Sequence, residues 1–189
     1  MKKFSSSTLF LKHAKNAALA SFVALATLAL PTALWGQQPT VHLEPLNLNG
    51  PLPLQKRTAQ AVIRDYLESW QSMSTALDQN RADLLDADFV GVAHKELAKS
   101  IQQQAALGLH THYQDTSHDV RIVFYSPDGM SVQLTDDVEY QQQVFASDKS
   151  LTTQQARVRY IVVLTPAELR WRVRIFQAEP QVKSQSQTQ

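Results

Sequence analysis

One carboxylate and two phenols stand where they could transfer a proton. Asp136 lies on the otherwise apolar face of the alternating segment 132–140, and Tyr140 shares that face. Tyr160, on a later alternating segment, is expected on the same side. A carboxylate held away from water among aromatic rings binds a proton more readily, which suits a general base. The alternative is a β-bulge that turns Asp136 outward, because long strands often carry bulges. Asp136, Tyr140 and Tyr160 are therefore the candidates for catalysis.

A group of histidines suggests a second kind of chemistry, the binding of a metal ion. His110, His112 and His118 lie near Asp115 and Asp119 in the sequence, and imidazole and carboxylate groups are common zinc ligands. His110 and His112 would share a face if this segment is extended. The spacing does not fix a third ligand, however, and histidines on an exposed connection are commoner. We therefore expect no metal ion and no other cofactor. The candidate ligands, should a metal ion bind, are the three histidines.

Five arginines in the last third of the chain could form a docking surface: Arg157, Arg159, Arg170, Arg172 and Arg174. Ile161 and Val163 lie on the same face of their predicted strand, and arginine beside apolar groups is enriched at interfaces. This pattern indicates binding of a protein partner or of a second copy of the chain. The alternative is a solvated face on which Asp137 and Glu139 neutralise the arginines, with little contribution from each ion pair.

The first 36 residues are typical of an export signal. They contain four lysines and no acidic residue, and an apolar run covers residues 17–34. A basic segment followed by an apolar one is the order found in signal peptides. An uncleaved anchor is the alternative, because the run approaches the roughly 17–25 residues that span a bilayer. We expect a protein of the bacterial periplasm or a secreted one, with anchoring in the inner membrane as the alternative.

The charge outside this segment argues against nucleic-acid binding. The chain has 18 basic and 17 acidic residues, and residues 1–36 hold four of the basic ones. The remainder therefore has 14 basic against 17 acidic residues, a net charge of −3, whereas nucleic-acid binding needs a basic patch on the domain. Contact with a membrane is expected only through an uncleaved N-terminal segment. Because the chain has no cysteine, disulfides, thiolate metal sites and a cysteine nucleophile are excluded.

The chain is expected to divide into four segments: 1–36, the signal peptide or anchor; 37–55, a proline-rich linker; 56–179, a single α+β domain; and 180–189, a disordered Gln/Ser tail. Apolar residues at helical spacing predict a first helix over 58–77, with Tyr66 and Trp70 on its buried face. A short second helix is predicted to begin at Asn80, and a third over 92–107. These helices provide one layer of the domain.

The second layer is a sheet, because apolar residues alternate with a period of two from His112 onward. The last hairpin is predicted to turn at Thr165–Glu168. That turn places Val162 opposite Trp171 and Arg159 opposite Arg174. Helices followed by long strands indicate an α+β fold, with the N-terminal helices packed on a curved antiparallel sheet of four or more strands.

These elements resemble the nuclear-transport-factor-2-like superfamily. The resemblance rests on the long first helix, which contains AVIRDYLESW (61–70), on two shorter helices, and on closing strands that contain RYIVVL (159–164) and LRWRVRI (169–175). It covers roughly residues 56–178, and within the superfamily the chain is similar to the intermembrane-space domain of plastid division proteins and their bacterial relatives. The resemblance implies a cone-shaped fold with helices inside a curved sheet. It also implies a pocket that, in the enzymes, holds an Asp or His base and a Tyr or Asp donor. No catalytic residue carries over from the family.

Such a fold hosts isomerases, dehydratases, ligand binders and interaction modules, so function does not follow from it. The sequence favours an exported, non-catalytic binding module that docks a protein partner or itself through the outer face of the sheet. The alternative is a small-molecule-binding protein or a lyase or isomerase that uses the cone pocket. An open cavity with Asp136 beside a tyrosine hydroxyl would favour the alternative, and a closed apolar interior would favour the module.

Overall fold

The structure is a computed structural model that describes residues 38–44, 48 and 53–179. The predicted export segment, 1–36, and the predicted tail, 180–189, lie outside the described residues, as do residues 37, 45–47 and 49–52 of the predicted linker. No helix in the described part of the chain is long and apolar enough to cross a membrane. The elements follow one another in this order: β1 Thr40–Leu43, α1 Lys56–Gln79, a 3-10 helix Ala82–Leu85, α2 Gly91–Ala106, β2 Leu109–Tyr125, β3 Val132–Ala146, β4 Lys149–Pro166 and β5 Trp171–Ala178.

Helix α1 is the long amphipathic helix that the apolar spacing predicts. Its buried face includes Tyr66 and Trp70, which lie one turn apart because their spacing of four matches the helical period. The helix ends at Asn80, which adopts the left-handed conformation with φ 55° and donates its backbone N–H to the carbonyl of Ala76. The prediction that Asn80 begins a second helix is therefore wrong. Asparagine tolerates this conformation better than most residues do, so it ends α1 instead.

The five strands form one mixed sheet in the order β1-β2-β3-β4-β5. Strands β2 to β5 are antiparallel neighbours, as the sequence predicts, but β1 pairs with β2 in parallel. The chain passes through both helices between β1 and β2, and such a crossover lets the two strands run in the same direction. The expected wholly antiparallel sheet is corrected in this respect. The α+β fold class, with helices packed on a sheet of at least four strands, is confirmed.

The predicted register of the last hairpin is wrong. Thr165 pairs with Arg172 rather than with Glu168, because the turn is a longer loop in which Ala167 donates its backbone N–H to the carbonyl of Arg170. The observed pairing differs from the predicted one by four residues, an even number, so Val173 stays on the buried face. A β-bulge between Val163 and Leu164 then turns Phe176, rather than its neighbour Ile175, toward the core.

The core lies between α1 and one face of the sheet. Trp70 is at its centre and is 2% exposed. Its ring centroid lies 5.2 Å from that of His118, 5.5 Å from that of Tyr160 and 5.7 Å from that of Phe176. The ring centroid of Tyr140 on β3 lies 6.2 Å away, so this one helical side chain packs against rings from four of the five strands. This packing holds polar groups inside the core, and His118 is one of them.

Candidate functional site

Asp136 faces the interior, as the alternation of its strand predicts. It is fully buried, and its Oδ2 accepts a hydrogen bond of 2.7 Å from the hydroxyl of Tyr66 on α1. Strand β3 is regular at this point, with Asp136 paired to Tyr160 on β4, so no bulge turns the carboxylate outward. The structure establishes the position of Asp136, while its role as a base stays a prediction.

His118 links Asp136 to a second carboxylate. Its Nδ1 lies 2.6 Å from Asp136 Oδ2, and its Nε2 lies 3.1 Å from Asp115 Oδ2. The imidazole is 1% exposed, whereas the side chain of Asp115 keeps 21% of its surface exposed. The result is a chain of hydrogen-bonded groups from the buried Tyr66 through Asp136 and His118 to Asp115. A proton can pass along such a chain between the interior and the surface.

A β-bulge in β2 places both His118 and Asp115 on the inner face. The pairing with β3 shifts between Asp115 and Ser117, so Asp115 lies opposite Tyr140. Without the shift, two residues three apart on a strand would point to opposite faces. His118 alone could have been located from the sequence, since it falls in step with the buried Val120. Asp115 could not, because sequence periodicity does not show where a bulge occurs.

The surroundings of His118 favour its charged form. Burial by itself lowers the pKa of His118, but the hydrogen bonds and negative charges of Asp115 and Asp136 outweigh burial and raise it to about 9. Burial raises the pKa of Asp115, yet the hydrogen bond from His118, a backbone hydrogen bond and the positive charge of the ring together hold it below its usual value. At neutral pH the site is therefore an imidazolium between two carboxyl groups.

Two polar atoms of this cluster have no hydrogen-bond partner within the described part of the chain, Asp136 Oδ1 and Trp70 Nε1. A buried polar atom without a partner costs about 1–3 kcal/mol, so each one needs an explanation, and a functional role is one of those that apply. The other two candidates for catalysis, Tyr140 and Tyr160, do not donate a hydrogen bond to Asp136 Oδ1. The phenol rings of Tyr140 and Tyr160 pack against Trp70 instead. Burial, followed by the hydrogen bond with Tyr140, raises the pKa of Tyr160, so its hydroxyl stays protonated.

A cavity opens beside the exposed end of this chain of groups. It has a volume of about 200 Å³ and is lined by residues of three elements and of the segment before β1: Gln38, Pro39, Val41, Leu67, Gln71, Asp115 and His118. A second cavity of about 350 Å³ shares Gln38 and Asp115 with the first. Asp136 does not line either cavity, so a ligand would meet Asp115 first and reach Asp136 only through His118.

The three histidines proposed as metal ligands do not come together in one group. His110 Nδ1 lies 3.1 Å from Asp78 Oδ1, and His112 Nδ1 lies 3.5 Å from Asp78 Oδ2, at the end of α1. His118 is bound to its own two carboxylates instead. Among the residues that the structure describes, no group of three or more potential ligands could hold a metal ion.

Four of the five arginines make contacts of two different kinds. On the outer face of β4, Arg157 and Arg159 pair with carboxylates of the neighbouring strands, the latter with Asp137 at 2.7 Å. The expected opposition of Arg159 and Arg174 does not occur, because the observed register pairs Tyr160 with Ala178 and so places Arg159 beyond the end of β5, next to Glu179. Near β5, Arg170 binds Asp88, and Arg172 donates to the backbone carbonyls of Asp86 and Phe89. Arg174 is exposed. The outer face therefore carries balanced charge, and two of the arginines fasten the hairpin to the helical layer.

No protein-family model matches the sequence, and no curated protein matches it. Among solved structures, the chain is similar to the intermembrane space region of the chloroplast protein ARC6, with 16% identity and a TM-score of 0.55. That match covers 67% of this chain and 98% of the other. The protein has the nuclear-transport-factor-2-like fold. At this identity the likeness shows the fold alone.

Two further structures match with lower TM-scores. A putative scytalone dehydratase from Novosphingobium aromaticivorans is 14% identical with a TM-score of 0.47, and the match covers 66% of this chain and 89% of that one. The protein Kfla4162 from Kribbella flavida is 13% identical with a TM-score of 0.45, covering 64% and 93%. The nuclear-transport-factor-2-like fold fits a binding module as well as an enzyme, so function has to be argued from the site.

Proposed function

We propose that this protein binds a small molecule in the cavity beside Asp115 and His118. The observation that supports the proposal is the chain of hydrogen bonds from Asp136 through His118 to Asp115, which ends at an open cavity. A structural ion pair would not need a second carboxylate at the surface. Convergent polar groups at the wall of a cavity are the usual mark of a ligand site.

The charge of the site indicates the class of ligand. Asp115 is the charged group that meets the cavity, and its carboxylate accepts hydrogen bonds but donates none. A ligand with a hydroxyl or amine group therefore fits Asp115. The apolar part of the ligand would contact Leu67 and Val41, which line the same cavity.

Proton transfer is the chemistry that this arrangement offers, and it is of the lyase or isomerase type. Asp115 would accept a proton from one atom of the bound ligand and give it back, either to another atom of the ligand in an isomerisation or to the leaving group in an elimination, so that the carboxylate is regenerated. The imidazolium of His118, hydrogen-bonded to Asp115, stabilises that carboxylate and is the proton donor nearest to it. Asp136 and Tyr66 keep the ring oriented from behind. In this scheme Asp115 contacts the ligand and Asp136 is a positioning residue.

The test is a ligand screen by NMR spectroscopy on isotope-labelled protein, with small alcohols and amines as probes. We expect the molecules that bind to shift the signals of Gln71, Asp115 and His118, and we expect Asp115→Asn to weaken binding at least tenfold. Asp119→Asn is the matched control, because Asp119 lies on the same strand but pairs with Arg157 on the outer face. The proposal is wrong if Asp115→Asn binds the probes as well as the control does.

The outer face of the sheet supports a second candidate function, docking of a protein partner. Ile161 and Val163 are half-buried on the face that carries Arg157 and Arg159, so an apolar strip adjoins the charged residues there. Reversing charge with Arg157→Glu and Arg159→Glu together should abolish a complex captured from the native envelope. Arg64→Glu, on α1, is the control. A complex that survives the double substitution would exclude this face.

The cellular location is part of the same proposal. The basic and apolar segment at residues 1–36 supports export to the bacterial periplasm or secretion. The likeness to a region described as lying in an intermembrane space also supports a site of action outside the cytoplasm. Fractionation of the native cells, with an antibody against the domain, would test this. Recovery with the cytosol would contradict it.

A further inference from the structure

The cavity beside Asp115 and His118 adjoins a second cavity of a different character. The described lining of this second cavity, which has a volume of about 350 Å³, is wholly polar, and it shares Gln38 and Asp115 with the first. The first cavity has a volume of about 200 Å³, less than the roughly 300–1,000 Å³ of most small-molecule sites. A ligand of ordinary size therefore extends from one cavity into the other.

The second cavity lies at the β-bulge of β2. In the pairing with β3 the register passes from Asp115 to Ser117, so Thr116 is the extra residue of the bulge, and it is exposed. The pairing of β2 with β1 begins at Ser117, opposite Thr40. The edge strand therefore starts directly after the bulge, and Thr40, Asp115 and Thr116 all line the second cavity.

The lining of the second cavity suits hydroxyl groups. Side-chain amides and hydroxyls both donate and accept hydrogen bonds, whereas a carboxylate accepts them. Within the described part of the chain, four of these side chains form no hydrogen bond with another group of the protein: Gln38, Thr40, Gln114 and Thr116. A ligand group with several hydroxyls both donates and accepts, so it can satisfy the amides, the threonines and Asp115 together.

The charges around the two cavities exclude an anionic ligand. Among the described residues that line them, the charged groups are Asp115 and His118, and there is no lysine or arginine. Both ring nitrogens of His118 are already engaged by carboxylates. A phosphate or carboxylate would therefore lie next to Asp115 without a cation to neutralise it, which is costly for a desolvated charge.

We propose that the two cavities form one site for a neutral sugar joined to an apolar group, with the sugar in the second cavity and the apolar group in the first. This inference rests on the proposed function, because Asp115 belongs to both. The apolar group contacts Pro39, Val41 and Leu67, while the sugar hydroxyls bind Thr116 and the neighbouring amides. Because the two halves are joined, binding of one raises the effective concentration of the other.

An NMR titration of the full, isotope-labelled chain tests this proposal. The probes are the hexyl glycosides of glucose, galactose and mannose, the three free hexoses, hexanol and hexyl phosphate. We expect at least one hexyl glycoside to bind about tenfold or more tightly than hexanol and than its own hexose, and to shift the signals of Val41 and Thr116 together. Hexyl phosphate should bind no more tightly than hexanol, because its charge is not neutralised in the site.

Two substitutions separate the halves of the site. Thr116→Val should weaken binding of the glycoside severalfold, because one hydroxyl partner is lost, and should leave binding of hexanol unchanged. Val41→Thr should weaken hexanol and the glycoside alike, because it puts a hydroxyl into the apolar half. Thr153→Val is the matched control, since Thr153 is an exposed threonine on β4 that is not part of the lining of either cavity.

The outcomes distinguish this inference from the proposed function. If hexanol shifts the signals of Asp115 and His118 but no glycoside binds more tightly than hexanol, the proposed function stands and this inference is wrong. If no probe shifts those signals, both are wrong. Tighter binding of hexyl phosphate than of the glycosides would overturn the inference, as would equal effects of Thr116→Val and Thr153→Val on binding of the glycoside.

Discussion

The buried histidine is the residue on which the chemistry of the site depends. His118 touches two carboxylates and the ring of Trp70, and its pKa of about 9 compares with an ordinary value of 6.5. A folded-state pKa above the unfolded one means that the charged ring stabilises the fold. That contribution is complete below pH 6.5 and is lost as pH rises through about 9. Asp115, whose pKa is lowered, acts in the opposite sense and loses its contribution on acidification.

We therefore predict that the free energy of unfolding falls as pH rises from 6.5 to 9, by on the order of 3 kcal/mol for a shift of this size. Urea unfolding at several pH values would measure it. His118→Gln should flatten the dependence in this window. His112→Gln, which alters a partly exposed ring paired with Asp78, should leave it in place. A wild-type stability that is constant from pH 6.5 to 9 would contradict the assignment of charge to His118.

At the scale of the elements, two buried carboxylates fix where β5 docks. Asp65 on α1 accepts the backbone N–H of Trp171 at 2.7 Å. Asp88 accepts hydrogen bonds from Ser72 and Arg170. These contacts place the start of β5 against α1, so they select the observed register over others that keep the same face inward.

Removing the acceptor at Asp65 should loosen this docking. We predict that Asp65→Ala lowers the free energy of unfolding by about 1–3 kcal/mol, because the backbone N–H of Trp171 is left without its partner. Thermal and urea unfolding would measure the loss. Glu68→Ala is the control on the same helix, since Glu68 is half-exposed and its pairs with Arg64 and Arg170 are long, 4.0 and 3.5 Å. Equal effects of the two substitutions would show that Asp65 does not hold the hairpin.

The elements also show what the sequence could predict. The spacing of apolar residues gave α1 to within two residues at each end, α2 to within one, and the inward side of Asp136. An apolar period of two cannot distinguish registers that differ by an even number, so it missed the pairing of Thr165 with Arg172. It also missed the site, because Asp115 reaches the inner face only through a bulge. Strand β1 lies in a proline-rich stretch that favoured a linker.

At the scale of the whole molecule, the two tryptophans in the described part of the chain, Trp70 and Trp171, contribute unequally to stability. Trp70 is 2% exposed and packs against rings from four strands, whereas Trp171, at the start of β5, is only partly buried. The alternation of the last hairpin predicts that Trp171 is a core residue whose loss unfolds the domain. In the structure, Trp70 is instead the core residue whose loss is expected to unfold the domain.

We predict that Trp70→Ala costs about 3–5 kcal/mol, as is usual for a large buried aromatic residue, and leaves the domain largely unfolded. Trp171→Ala should cost clearly less. Circular dichroism with urea titration would rank the two variants. If Trp171→Ala is the more damaging, the core is not centred where the structure places it.

The contact between Asp65 and Trp171 joins residues 106 positions apart in the chain. Closing so large a loop is entropically unfavourable until most other contacts exist, while neighbouring hairpins such as β2–β3 can form early. The hydrogen bond between Trp171 and Asp65 therefore forms late in the folding reaction. Substitutions at Asp65 should accelerate unfolding and barely change the rate of folding, so the lifetime of the native state, more than the speed of its assembly, depends on this one carboxylate.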